Sequence, residues 1–174
     1  MLQEEKKKYI LLEDETLGNG MIGKLYRIQA IKDFGDVKAG DKGGWVEGYH
    51  NLSQEGNCWL YDDATAYDNA RVWGDAKMKD DAQLFGNADI SNNVVMEKNA
   101  RVYDGVTVVD NVLITDDSEI GGDNVWICGN AILRKKAYND YSHLTIGGNV
   151  VIEDDTDSYE PRPIVNELYC YELS

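Results

Sequence analysis

A six-residue repeat runs through most of this chain, and few folds can hold one. Aligned from Gly56, the blocks read GNCWLY, DDATAY, DNARVW, GDAKMK, DDAQLF, GNADIS, NNVVME, KNARVY, DGVTVV, DNVLIT and DDSEIG, eleven hexads without a gap. The third position is small, as in Cys58, Ala64, Ala70, Ala76, Ala82 and Ala88. The fifth is mostly aliphatic, as in Leu60, Val72, Met78, Leu84 and Ile90. Positions one and two are nearly all Gly, Asp or Asn. Residues two apart share one face of a strand, so positions three and five point inward and position four points out. The Gly/Asp/Asn pair tolerates left-handed backbone angles and turns a corner. A helix cannot use a period of six with its apolar pair two apart.

This pattern predicts an all-β fold, a single-stranded left-handed parallel β-helix whose units bury their faces only by stacking. Three hexads make one triangular coil. An extra residue falls near Gly121–Gly122, and the register resumes at Val125 and Ile127. A second insertion precedes Leu144 and Ile146, and Val150 and Ile152 close the run. The total is about five coils, roughly 25 Å of stacked strands. Asn139 is the polar exception at a fifth position, which predicts a distorted coil there.

A solenoid needs its open ends covered. Residues 1–44 do not follow the repeat and read as a small β-rich cap, with strands over Lys8–Leu12 and Leu25–Ile31. The prism spans 45–152 and begins through Gly43–Gly44–Trp45–Val46. Residues 153–174 form an acidic loop and a tail with Tyr169 and Tyr171, read as lying over the last coil.

The net charge is −15, which disfavours nucleic acid and anionic membranes as partners. A basic partner protein, a cation, or solubility alone remain. No apolar run approaches a membrane span and the first residues lack a signal-peptide core, so the cytoplasm is the expected compartment. The three cysteines are odd in number and lack a C-x-x-C spacing, which argues against a disulfide framework.

The stretch from Tyr26 to Trp59, with Phe34, Val37, Gly40, Gly43, Gly44, Trp45, Leu52, Ser53, Gly56 and Trp59, leads into G-N-A-R-V-Y-like hexads. It resembles the YdcK-type hexapeptide-repeat proteins of bacteria and related repeat proteins of phages and prophages. Proteins of that group often carry an acyltransferase label by analogy with β-helix acetyltransferases, and fold alone does not carry function. The resemblance implies a phage or prophage origin and, under the enzyme alternative, a trimer using acetyl-coenzyme A.

That enzyme would need a histidine base with an orienting partner. His143, in the second insertion beside Asp140, is the better candidate of the two histidines; His50 is the other. Arg134, Lys135 and Lys136 lie just before it and suit coenzyme A phosphates. An exposed loop histidine is the competing reading. Two histidines cannot supply the three zinc ligands of a β-helix carbonic anhydrase. No Thr-x-Thr ladder is present for ice binding.

Stacking sorts the outward residues into faces. Trp59, Val95, Leu113 and Ile132, with Lys77 among them, form an apolar face that a protein partner or a second copy is expected to cover, as a dimer or trimer. Tyr67, Phe85 and Tyr103 stack as an aromatic ladder, either sheet packing or a platform. Asp62/Asp63, Asp80/Asp81 and Asp116/Asp117 share a corner, as turn caps or a calcium site. The leading expectation is therefore a binding or assembly module without cofactor or metal, acting through the apolar face.

Overall fold

A computed structural model describes residues 7–18, 23–139 and 142–154. Among these there is no helix, and the chain winds as a parallel β-solenoid. The first face stacks Trp59–Leu60, Lys77–Met78, Val95–Met96, Leu113–Ile114, Ile132–Lys135 and Val151–Asp154. The second stacks Lys42–Val46, Thr65–Ala66, Gln83–Leu84, Arg101–Val102, Glu119–Ile120 and Tyr138–Asn139. The third stacks Arg71–Val72, Asp89–Ile90, Gly105–Val108, Asp123–Ile127 and Thr145–Ile146, with Leu52 bridged to Val72. The count is about six coils rather than five, because Lys42–Val46 and Leu52 already pair as coil.

The expected register holds. Thr65, Gln83 and Arg101 donate their amides to the carbonyls of Ala82, Ala100 and Ser118 at 2.9, 2.9 and 2.8 Å. All eleven first positions of the hexads, from Gly56 to Asp116, have φ between 53° and 70°. That left-handed angle is what Gly, Asp and Asn supply. Lys98 is the exception in type. Its amide donates to Asp80 Oδ2 at 2.9 Å and its Nζ to Asp116 Oδ1 at 2.6 Å, which hold it in place.

Inward residues fill a dry core. Ala64, Ala82, Ala100 and Ser118 on one column, and Ala66, Leu84, Val102 and Ile120 on the next, are all fully buried. Each insertion adds a single residue. Val108 pairs with Ile127 and Ile127 with Ile146, and the extra residue of the first insertion is absorbed as a bulge between Gly105 and Val106. Asn139 keeps its backbone opposite Ile120.

The cap continues the second face. Strand β1 (Tyr9–Leu17) runs antiparallel to β2 (Leu25–Ala30), and β2 antiparallel to β3 (Lys42–Val46), which then pairs in parallel with Thr65–Ala66. The solenoid's first edge is thereby covered by a hairpin. Gly44 is required at this junction: a Cβ there would lie 2.2 Å from the Ala64 carbonyl oxygen. Residues of the cap also reach the first face, and this changes what that face offers.

Candidate functional site

Trp59, Lys77, Val95, Leu113, Ile132 and Val151 stand opposite one another on successive coils, as their spacing requires. Trp59, however, is not a surface residue. It is 1% exposed, with Phe34 packed edge-on at 5.3 Å and Tyr9 at 6.0 Å. Its expected place in a partner surface is corrected accordingly: the cap covers it. Lys77 is also engaged, pairing with Asp36 at 2.8 Å, and Tyr61 donates its hydroxyl to the same carboxylate at 2.8 Å. These hydrogen bonds hold Asp36 below the usual carboxylate range, and burial with Asp36 pushes the Tyr61 phenol up to about 12. Among the described residues, a shorter stripe is left uncovered by the cap. Val95, Leu113 and Ile132 are half-buried, and Val151 is 50% exposed. At strand spacing the stripe is about 15 Å long.

His143 does not stand on an extruded loop. It has φ 61°, its amide donates to the Asp123 carbonyl at 2.8 Å, and its ring Nε2 lies 3.4 Å from Asn124 Nδ2. It is a corner residue stacked on Asn124, which has the same left-handed angle, φ 56°. Asp140, its expected partner, falls outside the described residues. His50 Nε2 meets the Asp68 carbonyl at 2.8 Å. Two surface depressions border the prism, one lined by Gln83, Arg101 and Glu119, the other by Asp36, Asp75 and Lys77, and neither is lined by a histidine.

The basic cluster is largely neutralised within the protein. Arg134 Nε lies 2.6 Å and Lys135 Nζ 3.6 Å from the Glu153 carboxylate. Phosphate binding there would have to displace Glu153.

The aspartate corner behaves as turn caps. Asp62, Asp80 and Asp116 accept the amides of Asp80, Lys98 and Lys135 on the next coil. The Lys98 ammonium and the Lys135 amide hold Asp116 below the usual carboxylate range. Among the described residues no three His, Cys, Asp or Glu groups converge as metal ligands.

Tyr67, Phe85 and Tyr103 form a ladder of near-parallel rings, 5.2 and 5.1 Å apart with tilts of 2° and 9°. Phe85 has both faces covered by its neighbours. The ladder stops at Gly121, where a Cβ would lie 2.2 Å from the Tyr103 ring.

Two features were not foreseen. Lys8, read as part of a charged N-terminal run, is 1% exposed. Its Nζ donates to the carbonyls of Glu55, Gly56 and Cys58 at 3.2, 3.3 and 2.9 Å and lies 3.2 Å from Cys58 Sγ. Burial holds this amine below the usual lysine range, opposed by Cys58 beside it. Cys58 itself is a free, buried thiol, pushed up by burial. Cys128, by contrast, is disulfide-bonded, against the expectation from cysteine spacing.

Fold and repeat together define the class: a parallel β-solenoid built from hexapeptide repeats. Within it, the chain is similar to a protein of Escherichia coli (strain K12) named as an uncharacterized acetyltransferase, YdcK. The two are 48% identical over 61 residues, which is 35% of this chain and 18% of that relative. No protein-family model matches the chain. Among the described residues, no helix is long and apolar enough to cross a membrane.

Proposed function

We propose that this protein is a non-enzymatic binding or assembly module, acting by protein–protein contact through the open part of the first face. The observation that carries this reading is the stripe of Val95, Leu113, Ile132 and Val151, outward-facing on rigidly paired strands. Apolar side chains in line on an outward face gain by being covered. Self-association as a dimer or trimer, and occupation of a foreign protein as phage-derived repeat proteins would practise it, are both served by that surface.

Leu113→Glu is the direct test. Light scattering of the reduced full chain is expected to show association that this variant abolishes, since burying an unpaired carboxylate in an apolar contact is strongly unfavourable. If the reduced chain is monomeric, capture of a partner from a lysate takes the place of scattering. Association or capture unchanged by Leu113→Glu sinks the assignment.

A second reading is favoured by the printed name of the relative: acyl transfer from acetyl-coenzyme A, with His143 as base. Ligand binding to the folded state raises its melting temperature by linkage. The module reading expects no shift with acetyl-coenzyme A. A dose-dependent rise that is lost in His143→Ala would replace it with the enzyme.

A further inference from the structure

We infer that Lys8 and Cys58 form an oxidation-triggered staple, in which hydrogen peroxide converts their contact into a sulfenamide bond between Lys8 Nζ and Cys58 Sγ. The staple would fasten the cap to the first coil, and it is separate from the contact surface proposed above.

A lysine ammonium has three protons to give. Lys8 Nζ has four neighbours to receive them: the carbonyls of Glu55, Gly56 and Cys58 at 3.2, 3.3 and 2.9 Å, and Cys58 Sγ at 3.2 Å. Anchoring the cap to the coil needs only the carbonyls, and a core cysteine needs only apolar neighbours. Here a buried amine instead meets a buried thiol, Lys8 being 1% and Cys58 0% exposed. The Phe34 ring, 4.9 Å from Nζ, helps to close the site. Around the sulfur stand the carbonyls of Ser53, Glu55 and Val72, at 3.7, 3.7 and 3.6 Å, which can receive the hydroxyl of a sulfenic acid. Among the described residues Cys58 is the only free cysteine. Once oxidised it has no thiol there to condense with, and the Lys8 amine is the nucleophile in reach.

The pair supplies both steps of the chemistry. In its ion-paired form Lys8 holds the proton and Cys58 is the thiolate, which is the nucleophilic form of sulfur. The thiolate attacks hydrogen peroxide, so that an S–O bond forms and the O–O bond breaks. The leaving hydroxide takes a proton from the Lys8 ammonium and departs as water. Cys58 is then a sulfenic acid and Lys8 a neutral amine. The amine lone pair attacks the sulfur, the S–N bond forms and the S–O bond breaks, and the hydroxyl leaves with one N–H proton as a second water. Sulfur has lost two electrons and the peroxide has become two waters. A small-molecule thiol reverses the link: its thiolate attacks the sulfur, the amine leaves and takes up a proton, and a second thiolate frees Cys58 from the mixed disulfide.

The bond would join positions 50 apart in sequence, at the point where the cap meets the repeat. Lys8 directly precedes β1, the outer strand of the hairpin that covers the solenoid's first edge. Peroxide enters when the hairpin opens locally, as the ends of a fold do. The link then holds the hairpin shut until a thiol cuts it, so oxidising conditions lock the cap.

The test incubates the full chain with hydrogen peroxide, then denatures, alkylates and digests it without reduction. Mass spectrometry is expected to find a peptide joining Lys8 to Cys58, lighter than its two parts by two hydrogens, which separates on adding thiol. The peptide should be absent from Cys58→Ser. Amide exchange over Tyr9–Leu12 is expected to slow at least about tenfold in the linked chain. A parallel incubation in urea, below the unfolding midpoint, gives peroxide access to the site. Cys58 recovered there as the alkylated thiol or as the sulfinic acid, with Lys8 unmodified, overturns the staple. A linked peptide that retains an oxygen overturns the direct S–N bond. A link that leaves exchange over Tyr9–Leu12 unchanged overturns the locking of the cap.

Discussion

Replacing Ala82 with leucine is expected to lower the melting temperature by several degrees. Ala82 occupies the third position of its hexad and is fully buried, with Ala64 one coil before it and Ala100 one coil after. Its backbone is not free to move away, because the strands are tied on both sides: the Thr65 amide donates to the Ala82 carbonyl at 2.9 Å and the Gln83 amide to the Ala100 carbonyl at 2.9 Å. Three added carbons must therefore push into a core whose neighbours are held by the ladder. Overpacking of this kind costs about 1–3 kcal/mol. For a chain of this length each kcal/mol is worth about 2–4 °C, so a fall of roughly 2–12 °C is expected in a circular-dichroism or calorimetric melt. Gln83→Leu, on the outward side of the same strand, is the control and should stay within about 0.5 kcal/mol of the parent. A melt of Ala82→Leu that matches the parent would mean that the third positions do not meet at the prism axis.

The second large effect concerns the cap. Lys8→Met keeps the length and most of the volume of the side chain while removing its donors. Three carbonyls, those of Glu55, Gly56 and Cys58, then lose the ammonium that approaches them. A buried acceptor left without a donor costs about 1–3 kcal/mol. The carbonyls are neighbours and their losses will not add in full, and the variant no longer has to bury an amine, so a net cost of about 2–4 kcal/mol is expected. The loss should be local. Tyr9, the next residue and the first of β1, donates its hydroxyl to the Leu52 carbonyl at 2.6 Å and packs edge-on against Trp59. Hydrogen exchange is expected to speed up over β1 and β2 while the middle coils, from Lys77 to Ile120, keep their protection. Uniform protection in the variant would show that strand pairing and Tyr9 hold the cap without Lys8.

The prism itself could be read from residues 56–121 alone. A repeat of six with small and aliphatic residues two apart leaves one arrangement in which strand amides such as those of Thr65, Gln83 and Arg101 find carbonyls on the next coil. The stacking partners of Val95, Leu113 and Ile132 followed from arithmetic on that period. The aromatic ladder followed in the same way, and so did the aspartate corner. The coil count fell short by one because Lys42–Val46 lacks the hexad signature: its Gly-Gly pair does not turn a corner but admits the Leu60 carbonyl and the Trp59 ring at Gly43 and the Ala64 carbonyl at Gly44.

The candidate site was less legible. The period says which way Trp59 points, and it points outward, but it carries no information about a non-repeating segment folding over it. Phe34 and Tyr9 reach it from sequence positions 25 and 50 residues away. Lys8 misled for a similar reason. In a run of three lysines it looks solvated, and only the carbonyls gathered at the first open coil give it a reason to be buried. His143 sits at an insertion, where enzymes of similar fold place catalytic loops. Here the insertion is one residue long, and a corner absorbs it.

By itself, then, the sequence determined the repeating part of this protein: its inward residues, its corners and its column partners. Those are consequences of a local period, since each coil repeats the hydrogen-bonding problem of the one before. Only the tertiary structure decided how the first open end is covered, which stretch of the apolar face stays available, and which cysteine is free. Each of those depends on contacts between segments that share no period, and no local rule sets the register of such contacts.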